Sequence, residues 1–150
     1  MIRILCDNET IYDPLAPEYA AGEPTLTLSV NAAGGAALNL YPQNPRYSLP
    51  QKLKSNFAIY DDAELLFRGR LISETRGMYN ARKLQLEGAL AYLNDSVIRP
   101  FSFPEDFLKD PDYIEAAESG NVVAYLLGWI LSQHNAQVAE DRQLKLGTVT

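Results

Sequence analysis

Cysteine, histidine and tryptophan each occur once, at Cys6, His134 and Trp129. One thiol cannot close an internal disulfide, and one thiol with one imidazole falls short of the ligands a zinc site needs. The absence of a disulfide framework favours a chain that folds inside the cell. Cationic side chains are also scarce: 13 Lys and Arg stand against 19 Asp and Glu, a net charge of −6. Such a balance argues against a surface built for nucleic acid or an anionic membrane, since both need a basic patch to meet phosphates. No long apolar run exists. The longest, Val122 to Leu131, is about half of the roughly 20 residues that cross a bilayer. The opening Met1-Ile2-Arg3-Ile4-Leu5-Cys6 runs directly into Asp7-Asn8-Glu9, without the apolar core or small-residue cleavage site of a signal peptide. Neither repeats nor low-complexity segments are present. What remains is 150 residues, 47% hydrophobic and 21% charged, the composition of one folded domain or one and a fraction.

Charge is distributed unevenly. Residues 1–50 hold two basic and five acidic side chains, residues 51–100 eight and six, and residues 101–150 three and eight. The middle third is therefore the basic part and the last third the acidic one.

The first hundred residues predict β structure. Ile2, Ile4 and Cys6 alternate, Asp7-Asn8-Glu9 can turn the chain, and Thr10-Ile11-Tyr12 can return it as a hairpin, which Asp13-Pro14 ends. Pro14, Pro17, Gly22 and Pro24 predict a loop, followed by a strand on Leu26, Leu28 and Val30. Gly34-Gly35 punctuates, and Ala37 to Tyr41 resumes. Pro42, Pro45 and Pro50 forbid regular structure up to Lys52. Phe57 to Tyr60 and Leu65 to Ser73, joined through Asp61-Asp62, form the clearest hairpin, and Arg82 to Gly88 a further strand with Leu84 and Leu86 on one face. Gly69, between Arg68 and Arg70, predicts a bulge or a bend.

Beyond Asn94-Asp95 the pattern changes. Pro100, Pro104 and Pro111 bound an aromatic connection containing Phe101, Phe103, Phe107 and Tyr113. Asn121 then stands at the N-cap position of a helix carrying Val122, Leu126, Leu127, Ile130, Leu131 and His134 on one stripe. Val123, Tyr125 and Trp129 make the opposite face apolar too, which predicts cover on more than one side. Gly128 inside it predicts a close packing contact. Leu144, Leu146 and Val149 alternate again, so the chain stops as a strand begins, and residues 101–150 are expected to open a second domain of a longer polypeptide.

A search for chemistry yields little. His134 would have to serve as the base of any Ser-His or Cys-His machine, yet it ends an apolar helix without a flagged nucleophile, where packing or C-terminal capping explains it. The acidic residues Glu105, Asp106, Asp110, Asp112, Glu115 and Glu118 lack calcium-loop spacing and read as a solvated face. Gly34-Gly35 has neither the order nor the following helix of a phosphate loop. Asp61, Asp62 and Asp95 could serve as glycosidase carboxylates only if the fold brought them together. No catalytic residue, cofactor or metal is expected.

Phe57-x-Ile59-Tyr60-Asp61-Asp62, Leu66-Phe67-Arg68-Gly69-Arg70-Leu71, Leu84-x-Leu86-Glu87-Gly88-x-Leu90-Ala91-Tyr92-Leu93-Asn94-Asp95-Ser96 and His134-Asn135-Ala136-Gln137-Val138 before Gly147-Thr148-Val149-Thr150 together carry a resemblance. In this order and spacing the chain resembles the N-terminal hub region of tail-tip proteins from long, non-contractile-tailed bacteriophages and prophages. These are the minor tail proteins or tail-associated lysins, similar in fold to the baseplate hub of contractile-tailed phages.

The resemblance implies a mainly β chain with an α-helical segment: a β-barrel-like hub domain over residues 1–100, then the helical start of a second. It implies a structural role in the virion tail tip after synthesis in the bacterial cytoplasm. Three copies would form a ring beneath the distal tail protein, near the tape-measure protein, and would close or continue the tail tube. Any lytic domain would lie beyond Thr150. The positions implied in structure and assembly are Phe67, Arg68, Gly69, Arg70, Glu87, Gly88, Tyr92, Asp95, His134 and Asn135. Two other classes stay open: part of a peptidoglycan hydrolase, and a carbohydrate-binding β domain that uses the nine tyrosines and Trp129.

Overall fold

The computed structural model describes residues 1–98 and 107–147. Expectations for Pro100, Phe101, Phe103, Pro104, Glu105, Asp106 and 148–150 lie outside the described residues. The chain divides into two compact units, Met1–Ala91 and Tyr92–Thr150; the expected boundary stood at residue 100.

The first unit is a seven-stranded antiparallel sheet curled into a half-barrel, in the order β2-β1-β5-β6-β7-β4-β3. Its strands are β1 (Ile2–Cys6), β2 (Glu9–Tyr12), β3 (Ala21–Thr27), β4 (Gly35–Leu40), β5 (Asn56–Asp61), β6 (Glu64–Arg76) and β7 (Arg82–Gly88). The two hairpins and the β7 strand fall where alternation predicts them. Ile4 and Cys6 of β1, Leu38 and Leu40 of β4, Phe57 and Ile59 of β5, and Leu84 and Leu86 of β7 all face one buried core. This period-two placement gives the sheet its apolar inner face.

The expected strand on Leu26, Leu28 and Val30 is displaced. β3 begins at Ala21 and runs through Pro24, while Val30 is 91% exposed beyond its end. Edge position explains this. β3 pairs only with β4, and the register skips from Gly22 to Thr25, so the missing N–H of Pro24 breaks no ladder bond.

Gly69 also has a different cause from the expected bend. The register irregularities of β6 lie against Tyr60 and between Leu71 and Ser73, not at Gly69. A Cβ on Gly69 would sit 2.0 Å from the Glu87 carbonyl oxygen, and one on Gly88 1.7 Å from that of Ala33. Both glycines permit backbone approach that any side chain would block.

The skip after Leu71 reverses the strand. Phe67 and Leu71 face the core, yet beyond the skip Glu74 lies opposite Leu84, on the core side of β7. An extra residue in a strand has this effect on every side chain that follows.

In the second unit, α1 (Pro111–Glu118) and α2 (Val122–Asn135) form a helix pair. Sequence reading treats Pro111 as a boundary of irregular chain. In fact Pro111 occupies the first turn of α1, where its missing N–H costs nothing, and Asp110 caps it by accepting from the Asp112 N–H at 2.9 Å. Tyr125 Oη donates to the other Asp110 oxygen at 3.2 Å, and Tyr113 meets Tyr125 edge-on at 5.6 Å. Asn121 holds the N-cap position of α2 but makes no side-chain cap bond.

Two further expectations for α2 are corrected. No atom would lie within 4 Å of a Cβ on Gly128, so it marks no tight contact. Val123 and Leu127 are exposed, and the described residues do not cover both faces. Leu144 to Gly147 has no strand conformation, and the Leu144 backbone is held by the Asn135 side chain at the end of α2.

Candidate assembly site

The residues implied by the resemblance fall into two groups, one in each unit. In the first, Phe67 is buried in the core, and Gly69 and Gly88 pair directly across β6 and β7. Arg70 lies opposite Glu87 on the outer face. Its guanidinium donates through Nε at 2.7 Å and through Nη2 at 2.7 Å to one carboxylate oxygen of Glu87. Arg68 shares that face and is exposed. The pair pins β6 to β7 beside the point where Gly69 lets the two backbones come close.

In the second group, a short 3-10 segment (Ala89–Asp95) continues β7, and Tyr92 within it is buried. His134 is fully enclosed. Its Nδ1 lies 2.9 Å from Ser96 Oγ and its Nε2 3.3 Å from the Arg142 carbonyl oxygen. A carbonyl only accepts, so Nε2 carries a proton towards Arg142, while Nδ1 rests against the Ser96 hydroxyl, which also donates to the Leu93 carbonyl at 3.3 Å. Asn135 forms a two-way clasp with Leu144: Nδ2 donates to its carbonyl at 2.8 Å, and its N–H donates to Oδ1 at 2.9 Å. Arg142 reaches Asp95 at 3.4 Å. His134, Asn135 and Asp95 thus fasten the chain after α2 to the helix end and to the 3-10 segment. With both ring nitrogens engaged and no exposed surface, the imidazole is placed as a structural bridge.

Sequence reading missed the most connected polar group of the first unit. The Pro-rich loop between β4 and β5 must cross from one side of the half-barrel to the other, because β4 pairs with β7 and β5 with β1. Arg82, at the start of β7 and 6% exposed, holds this loop. Its Nη2 donates to the Pro50 carbonyl at 2.7 Å, its Nη1 to the Tyr47 carbonyl, and its Nε to Glu74 at 3.1 Å. The guanidinium also lies over the Tyr47 ring at 5.5 Å. The signal was present, since Arg82 has the same parity as Leu84 and Leu86, and a charge on an apolar face needs partners.

Asn44 is the second missed residue. Buried in the same loop, its Nδ2 donates to the carbonyls of Ile11 at 2.8 Å and Ala20 at 3.1 Å, and its Oδ1 accepts from the Arg46 N–H at 2.9 Å. Ile11 belongs to β2 and Ala20 directly precedes β3, so Asn44 staples the two edges of the sheet at one end. Away from the staple the edges part around an apolar cleft of about 210 Å³, lined by Ile2, Ile4 and Tyr12 on one side and Pro24, Thr25 and Leu26 on the other.

Cys6 is fully buried, and burial pushes its thiol up to about 12. Among the described residues no cluster of His, Cys, Asp or Glu is arranged to hold a metal ion. Also among the described residues, no helix is long and apolar enough to cross a membrane. Comparison with protein-family models, with curated proteins and with solved structures finds no match.

Proposed function

We propose that this chain is the N-terminal hub region of a bacteriophage or prophage tail-tip protein. In this reading it is a structural part that assembles as a trimer below the distal tail protein and closes or continues the tail tube. The observation that carries the reading is the open seam: the sheet curls through much of a barrel, yet β2 and β3 stand at its two ends with an apolar cleft between them. Open edges favour pairing with other chains, and a ring subunit needs such surfaces on two sides. The close backbone approaches at Gly69, against Glu87 of β7, and at Gly88, against Ala33, support the same reading, since these positions belong to the motifs that carry the resemblance. So does the division of labour in the polar residues: Arg82, Asn44, His134 and Asn135 are spent on holding backbone in place, and Arg70 on pairing β6 with Glu87 of β7. Lytic activity, in this reading, belongs to another part of the tail protein.

Co-expression with the distal tail protein of the same genome tests the proposal. A complex of three copies on a distal-tail hexamer is the expected product. Failure of the folded chain to associate, or turnover of purified cell walls by this chain alone, would count against a structural hub.

A further inference from the structure

The β6 and β7 hairpin ends in a tight reversal closed by the Gly77 N–H donating to the Ala81 carbonyl at 2.8 Å. Tyr79 and Asn80 at its tip have φ of 62° and 59°, a left-handed conformation that is rare for a bulky residue such as tyrosine. Met78 and Tyr79 are 84% and 88% exposed. The base of this tip is fixed, because Tyr47 Oη donates to the Asn80 carbonyl and Arg82 clamps the neighbouring loop. The apolar pair is therefore held out into solvent and cannot fold back onto its own sheet. Two adjacent large apolar side chains on a fixed tip present a small apolar patch to solvent.

The cleft between the sheet edges has the complementary character. Its volume of about 210 Å³ and its mainly apolar lining suit one aromatic side chain. Its rim is acidic: Glu23 adjoins Pro24, Asp61 pairs in register with Ile2, and Asp62 and Glu64 complete the same turn, against Arg3 and the amino terminus. The hairpin end presents the exposed cations Arg76 and Lys83, while the buried Arg82 is paired with Glu74. Opposite charge at the two surfaces steers them together and disfavours tip against tip.

We propose that the Met78-Tyr79 tip of one copy seats in the edge cleft of a second copy. The contact is head-to-tail, so each copy offers a tip on one side and a cleft on the other, and closure gives a ring. It deepens the hub reading and rests on it for the presence of several copies. One tip in one cleft is a small interface, below the roughly 800 Å² per partner of a stable pair, so closure of the ring must reinforce it.

Cysteine cross-linking of the purified full chain tests the contact. Met78→Cys, which leaves the Tyr79 ring in place, and Thr25→Cys both alter exposed side chains, and unchanged circular dichroism would confirm that each variant folds. Mixed and oxidised, the two are expected to form a disulfide heterodimer at least tenfold faster than either forms a homodimer alone. Adding Arg76→Glu and Lys83→Glu to the tip variant should remove that preference. Equal rates in the mixture and in the single variants would overturn the proposal. So would wild-type tip binding to anionic phosphatidylglycerol vesicles without any preference for the cleft, which would assign the tip to a lipid surface. Cross-linking is read on the purified chain and tail incorporation on particles, so either can fail while the other stands.

Discussion

Replacing Arg82 with alanine is the sharpest perturbation of the half-barrel. The substitution removes a guanidinium that is 6% exposed and leaves the carbonyls of Tyr47 and Pro50 without their donor. It also strands the Glu74 carboxylate on the core side of the sheet. Removing one partner of a buried ion pair costs about 3–5 kcal/mol. Glu74 keeps 27% of its side chain in water, which places the expected loss near the lower end, about 3 kcal/mol. With a urea dependence of about 2 kcal/mol per molar, the midpoint followed by far-UV circular dichroism should fall by roughly 1.5 M. Arg82→Lys should recover only part of this, since an ammonium cannot present a planar fork to acceptors on three sides. The double variant Arg82→Met with Glu74→Gln should lie above Arg82→Ala, because it buries no unpaired charge. Trypsin should cut the loosened loop at Arg46, Lys52 and Lys54 faster in Arg82→Ala. A midpoint within about 0.3 M of wild type would refute the clamp.

Gly88→Ala should lower the melting temperature by roughly 10 °C, because the added Cβ meets backbone and not a movable side chain. Gly128→Ala, in open space, should instead raise stability by about 0.5–1 kcal/mol through helix propensity; a loss there would mean that its surroundings have been misread. Cys6 should resist thiol reagents in the native state at pH 8 and react once urea unfolds the chain. Its thiol is raised from an ordinary value of 9 to about 12, so this group's contribution to stability is intact below pH 9 and is lost as pH rises towards 12, where the unfolded thiol ionises first. Asn135→Ala should free the segment around Leu144, seen as faster tryptic cleavage at Lys145, with a loss of about 1–2 kcal/mol from the broken clasp.

Local pattern carried much of the fold. β1, β2, β5 and β7 are written in alternation and turn residues, which depend on near neighbours alone. Failures occurred where distant chain decides the outcome. Pro24 reads as a loop until β3 is known to be an edge. Gly69 reads as a bend until β7 is known to lie against it. Gly128 reads as a tight contact until its surroundings prove empty. The register skip after Leu71 left a trace, two consecutive apolar residues in Leu71-Ile72, and that break in alternation is what turns Glu74 inward towards Arg82. Of the candidate site, Arg70 with Glu87 and His134 with Asn135 were marked in the sequence, but their partners were not. Asn44 and Ser96 come from loops and Arg142 from a single 3-10 turn, where no periodicity announces which partner a side chain will meet.

The central claim, that this chain is a structural part of a tail tip, is tested most directly by immunogold electron microscopy of phage particles released from the cell that carries the gene, with an antibody raised against the chain. Gold confined to the end of the tail distal from the capsid is the result expected; intact particles that carry no label there, while the chain is found elsewhere in the cell, would contradict it.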